Sequence, residues 1–167
     1  MKKLVIALLL AMPLGLFAQN LKIGYINKQE IITVMPEYAT AMKQLEDTNL
    51  KYITEGKKLE EELQRKYQEY QAQADTLDAA IRQYKENELA HLQQSIQEFT
   101  KSAAETLKKK QQELMMPIIN KIQQAIKKVG DENSFTYIID NAANIIPYVS
   151  PSAENVLPLI KKALNIQ

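Results

Sequence analysis

The sequence predicts a mainly α fold with a small β body, in which a long antiparallel helical hairpin stands on a few short strands. Three observations carry that prediction. Residues 36–129 contain one glycine (Gly56), one histidine (His91) and no cysteine, with prolines only at Pro36 and Pro117. Apolar residues recur through this stretch at helical spacing, and short alternating segments flank it on both sides. A segment so long and so poor in breakers reads as a pair of helices and not as a catalytic domain.

The first residues read as a secretory signal over 1–18. Lys2 and Lys3 give a charged start, residues 4–16 an apolar run, and Leu16-Phe17-Ala18 a cleavage site of the A-x-A type, with Leu16 larger than usual there. The apolar run is shorter than the roughly 20 residues a membrane span needs, so cleavage after Ala18 is the expectation. With no cysteine in the chain, disulfides, thiolate metal sites and lipid on an N-terminal cysteine are excluded. Cleavage takes Lys2 and Lys3 from 21 basic residues, leaving 19 against 20 acidic ones, a net of −1. Nothing in that balance points to nucleic acid, which calls for a basic patch. An exported, cysteine-free chain fits a bacterial periplasm.

Each element has a local reason. Residues 22–26 read as a strand, with Leu21, Ile23 and Tyr25 alternating to one face. Asn27 caps a short helix through Met35, and Pro36 suits the first position of the next helix because its missing N–H has no partner there anyway. Along 36–77 the seam Tyr38, Met42, Leu45, Asn49, Tyr52, Gly56, Leu59, Leu63 alternates steps of four and three, the heptad mark of a coiled coil. A stutter then leads to Tyr67, Tyr70, Ala74 and Leu77. Asn49 and Gly56 make the middle of the seam weak. Asp75-Thr76-Leu77-Asp78 supplies the turn. From Ala79 two rows recur every eleven residues, Ile81, Leu92, Ala103, Leu114, Ala125 and Ile96, Leu107, Ile118, Val129, the repeat of a nearly straight helix.

Gly130 is placed as the residue that ends this second helix. The arms are of similar length and fold back over roughly 60–75 Å at 1.5 Å per residue, with Gly56 opposite Ser102 and Ala103 and a bend at Pro117. Past Gly130, Phe135, Tyr137 and Ile139 alternate as a strand. Residues 145–149 read as a further strand at an edge because of Pro147, and a short amphipathic helix ends at Leu164.

Residues 19–35 and 130–167 are then the only globular body, roughly 55 residues with no disulfide or metal, a size that usually needs a partner subunit. Its strands are apolar on both faces, since Ile138 and Ile146 oppose the main stripes. Two covered faces imply a closed or shared sheet. Ile23, Tyr25, Tyr137, Ile138, Ile139 and Ile146 are the expected oligomer interface.

No residue pattern supports catalysis, a cofactor or a metal. His91 lies off the seam with no second histidine to share a metal. The carboxylates read as a salt-laced surface, with Glu61–Arg65, Glu62–Lys66 and Glu105–Lys109 at i,i+4. Tyr67 and Tyr70, near the tip, are the best placed to touch a bound partner.

Two segments resemble the Skp/OmpH family of periplasmic chaperones. Lys22-Ile23-Gly24-Tyr25-Ile26-Asn27 followed by Met35-Pro36-Glu37-Tyr38 is similar to its opening strand and helix start. Gln111-Gln112-Glu113-Leu114-Met115-Met116-Pro117-Ile118, with Ile122 and Ala125-Ile126, is similar to the segment returning to the body. The resemblance implies a homotrimer whose strands form a small β-barrel, with three hairpins hanging as tentacles around a cavity. It implies an ATP-independent holdase, without cofactor, for unfolded outer-membrane β-barrel proteins. One departure matters: known members are often basic toward the tips, whereas residues 66–92 here carry three basic against five acidic residues. Contact with membrane or lipopolysaccharide is left open. The alternative reading is a structural or adaptor coiled coil binding one folded envelope partner.

Overall fold

The computed structural model describes residues 21–166; the expected signal segment at 1–18 lies outside them. Strand β1 (Ile23–Ile26) leads into helix α1 (Lys28–Val34). Asn27 caps α1 by accepting from the Gln29 amide at 3.0 Å while its own amide donates to Glu30 at 2.9 Å, a cap worth about 1 kcal/mol. Met35 stays extended at φ −74° and ψ 130°, because the ring of Pro36 disfavours helical backbone in the residue before it. Helix α2 (Pro36–Gln73) starts on that proline.

Helix α3 (Ala79–Glu132) runs back antiparallel. Asp78 caps it through the Ile81 amide at 2.9 Å, and Arg82 closes the turn by donating to the Ala74 carbonyl at 2.6 Å. Pro117 lies within α3 without interrupting it. The helix also passes through Gly130, contrary to the sequence expectation. It ends in a Schellman arrangement, with Ser134 left-handed at φ 55°, Phe135 N–H on the Gly130 carbonyl at 3.0 Å and Ser134 N–H on Asp131 at 3.5 Å. Gly130 instead lies where Ile138 packs on the helix: a Cβ there would sit 3.6 Å from Ile138 Cδ1.

The strands β1, β2 (Tyr137–Asp140) and β3 (Glu154–Asn155) form one parallel sheet in the order β2-β1-β3. Parallel neighbours need a long crossover, and between β1 and β2 the hairpin itself is that crossover. Helix α4 (Leu157–Ala163) closes the body. Its core joins Ile26 and Val156 to Ile31, Met35, Ile122 and Ile160, all under 2 % exposed. Asp140 ties the sheet to α1 through the Lys28 amide at 3.2 Å and the Lys28 ammonium at 3.1 Å, and it also accepts from the Ala142 amide of the following turn at 3.1 Å. Burial works against its charge, and these partners outweigh burial, so its carboxyl titrates below the usual aspartate range.

Residues 145–149 form no strand. Both edges of β1 are taken by β2 and β3, Pro147 has no N–H to offer a ladder, and the Ile146 amide is satisfied locally by the Asn141 side chain at 3.0 Å. Ile145 and Tyr148 in this segment are 71 % and 73 % exposed.

Beyond the base the hairpin is thin. No residue from Met42 to Pro117 is fully buried, because each seam side chain has one partner helix and open flanks. The seam differs from the heptad reading at two places: Thr48 and Lys66 are half-buried, while Asn49 and Tyr67 point outward. The helices keep closer to the 3.6-residue period than a strict heptad would. Lys66 therefore reaches Glu88 on the opposite arm, and neither Glu62–Lys66 nor Glu61–Arg65 forms; Glu61 pairs with Lys57 and Arg65 with Glu69. Glu105–Lys109 is also not formed among the ion pairs of the described residues. Exposed partners of this kind exchange at little cost.

The space nearest Gly56 is taken by Phe99, whose Cε1 would lie 3.6 Å from an added Cβ, and no atom of Ser102 or Ala103 comes within 4 Å of that position. The Phe99 ring also meets Tyr52 edge-on at 6.1 Å. Gly56→Ala makes an ordinary contact there and gains helix propensity. We expect stability to rise by about 1 kcal/mol, read as a higher denaturation midpoint; an unchanged or lower midpoint would show that Phe99 leaves no room.

Candidate functional site

Two surfaces stand out, one on the body and one on the hairpin. On the body, the register places Ile23 beside Tyr137, Tyr25 beside Ile139, and Asn155 beside Tyr25. Paired residues share a face of a sheet, so Ile23, Tyr25, Tyr137 and Ile139 form one patch turned away from the core. Leu21, Tyr137 and Ile139 in or beside it are exposed, so apolar surface is left open to water on this face of the single chain.

Ile138 does not belong to that patch. It alternates to the inner side and packs against the core beside Gly130, so a side chain expected at the interface serves the monomer's own fold. Ile146 is half-buried in an irregular segment. The strongly exposed Ile145 and Tyr148 were missed, because reading 145–149 as a strand hid them in an alternating pattern.

On the hairpin, Tyr67 and Tyr70 line one groove between the arms with Leu63, Leu89 and the carboxylates of Glu60 and Glu86. Tyr67 is half-exposed. The Tyr70 hydroxyl donates to Glu86 at 2.6 Å, and this bond to a carboxylate raises its pKa. The other side of the same tip is lined by Glu62, Lys66, Glu88 and His91. There the Lys66 ammonium, hydrogen-bonded to Glu88, is held in its charged form, and the same bond keeps the Glu88 carboxyl below its usual range. His91 is exposed, 3.4 Å from the Ser95 hydroxyl. Among the described residues no group of three or more His, Cys, Asp or Glu is arranged to hold a metal, and no helix is long and apolar enough to cross a membrane.

The family model described as "Outer membrane protein (OmpH-like)" matches residues 22–164. This chain belongs to that family. The OmpH-like match begins one residue before β1 and ends on Leu164, the residue capping α4, so it takes in body and hairpin together. Among curated proteins the chain is similar to "Chaperone protein Skp" of Yersinia enterocolitica, 29 % identical over 164 residues and covering 97 % of this chain and 99 % of the relative. Relatives of the same name are 28 % identical in Photorhabdus laumondii, covering 97 % and 98 %, and 26 % identical in Pectobacterium atrosepticum, covering 84 % of each chain. The OmpH-like family assignment agrees with the mainly helical chain and its small sheet.

Proposed function

We propose that this protein is an ATP-independent holdase of the periplasm, exported by a signal over residues 1–18. Its body, residues 19–35 and 130–167, assembles with two further copies through the outward sheet face into a small closed barrel. Its hairpin, residues 36–129, is one of three tentacles around a cavity that holds unfolded outer-membrane β-barrel proteins. Membership in the OmpH-like family and the name carried by its relatives support a chaperone role.

The observation that carries the reading is the division of labour along the chain. Among the described residues every fully buried one lies in the body or the hairpin base, while the arms beyond expose scattered apolar side chains such as Leu50, Ile53, Tyr67 and Tyr84. Arms of this kind make many weak contacts and no single strong one, which keeps a client mobile and non-aggregated. The test is aggregation of an unfolded β-barrel protein on dilution from denaturant. A holdase suppresses it, whereas an adaptor for one folded envelope partner leaves it unchanged.

Shortening the arms sharpens the test. Deleting matched segments on either side of Asp78 leaves the buried core untouched. We expect an assembly of normal stoichiometry that loses large clients several-fold more than small ones. Equal capacity for both would place clients outside the cavity.

A further inference from the structure

We propose that the groove holding Tyr67 and Tyr70 receives cationic stretches of an unfolded client, arginine or lysine flanked by apolar residues. This deepens the holdase reading and rests on it. The floor is apolar and aromatic, from Leu63, Tyr67, Tyr70 and Leu89, and its charged lining is Glu60 and Glu86 with no basic residue. Neither carboxylate has a cation within ion-pair distance among the described residues. The nearby guanidiniums are engaged elsewhere, Arg65 on Glu69 at 2.6 Å and Arg82 on the Ala74 carbonyl at 2.6 Å.

The opposite side of the tip is different: its ammonium, Lys66, is already paired with Glu88. The two sides thus differ: the Tyr67 side sets two unpaired carboxylates beside aromatic surface with no cation in its lining, whereas the opposite side, with Glu62, Glu88 and the exposed Tyr84, already holds Lys66 among its carboxylates. A tyrosine face attracts a guanidinium or ammonium. The bond from Tyr70 holds the Glu86 carboxylate at the groove. Exposed contacts of this kind are individually weak, as a client that must stay mobile requires, yet they select the sign of charge.

The test uses the purified assembled protein and two short unstructured peptides. One alternates arginine with leucine and tyrosine; the other has glutamate at every arginine position. Anisotropy titrations should show the arginine peptide binding about tenfold tighter, with the advantage shrinking as salt is raised. Glu60→Gln with Glu86→Gln keeps an acceptor for Tyr70 and removes both charges, and should cut that advantage about fivefold. Equal binding of the two peptides, tighter binding of the glutamate peptide, or an unchanged ratio in the double variant overturns the proposal. Aggregation suppression by the parent protein is measured alongside. If it holds an unfolded β-barrel protein without charge preference, the groove assignment falls and the holdase reading stands; if it holds nothing and binds neither peptide, both fall.

Discussion

Gly24→Ala is expected to lower the melting midpoint of the body by about 10 °C, from an overpacking cost of about 1–3 kcal/mol. Gly24 sits in the central strand β1, with Phe135 and Val156 pressed against its Cα. An added Cβ would lie 2.8 Å from Val156 Cγ1 and 3.1 Å from Phe135 Cε1. Val156 is fully buried, so it has nowhere to move without displacing Ile26 or Ile160 in the same core. Two controls make the cause specific. Gly130→Ala meets only an ordinary 3.6 Å contact with Ile138 and should keep the parent's midpoint. Adding Val156→Ala to the Gly24 variant removes the clashing methyl and should recover part of the loss. Thermal unfolding followed by circular dichroism reads all three. A Gly24 variant that melts with the parent contradicts the packing described here.

Given the assembly proposed above, Ile139→Asp is expected to leave folded monomers. Ile139 is 40 % exposed in the single chain and lies on the outward face beside Tyr25. A carboxylate there remains in water while the chain is alone, so folding is spared. In an assembly that closes the sheet, the same carboxylate is buried without a partner, typically costing about 3–5 kcal/mol per contact. Sedimentation velocity should show the mass of one chain, and circular dichroism should keep the helical signal. Ile138→Asp is the contrast: its side chain packs on the core of its own body, so that variant should lose folding itself. An Ile139 variant with the parent's mass would remove the outward face from the interface.

Much of the fold was legible because its signals are local. Asn27, Pro36 and Asp78 each satisfy or spare backbone groups within a few residues, and they sit at the helix starts where the sequence placed them. The eleven-residue rows ending at Ala125 and Val129 run into the core as read, although Ile81 at the tip is exposed. Local reasoning failed where a competing local signal outweighed the pattern. Gly130 looked like a terminator, but Ser134 takes the left-handed conformation and the helix continues through the glycine. Asn49 and Tyr67 fit a heptad count by spacing, yet a one-residue drift in helical phase turned both to solvent.

The surfaces were legible only in part. Tyr67 and Tyr70 were picked out by residue type, and the structure sets them in one groove. The carboxylates that give that groove its charge come from both arms, Glu60 from α2 and Glu86 from α3. Their meeting depends on the register between helices far apart in sequence, which no short window contains. The same holds for the sheet. Alternation showed that the strands have two apolar faces, but not which face the monomer covers for itself.

By itself, the sequence determined the long hairpin, its caps and turn, the absence of thiol chemistry and the smallness of the body, because each follows from periodicity, capping and composition. Only the tertiary structure decided that the strands lie parallel in the order β2-β1-β3, that residues 145–149 stay out of the sheet, and that Ile138 turns inward while Tyr137 and Ile139 face out. The reason is that strand order and facing are settled by what packs on each side. Phe135 and Val156 pack over the bare Cα of Gly24, and that contact sets the inner face against the body's core and leaves Tyr137 and Ile139 on the other face open to water.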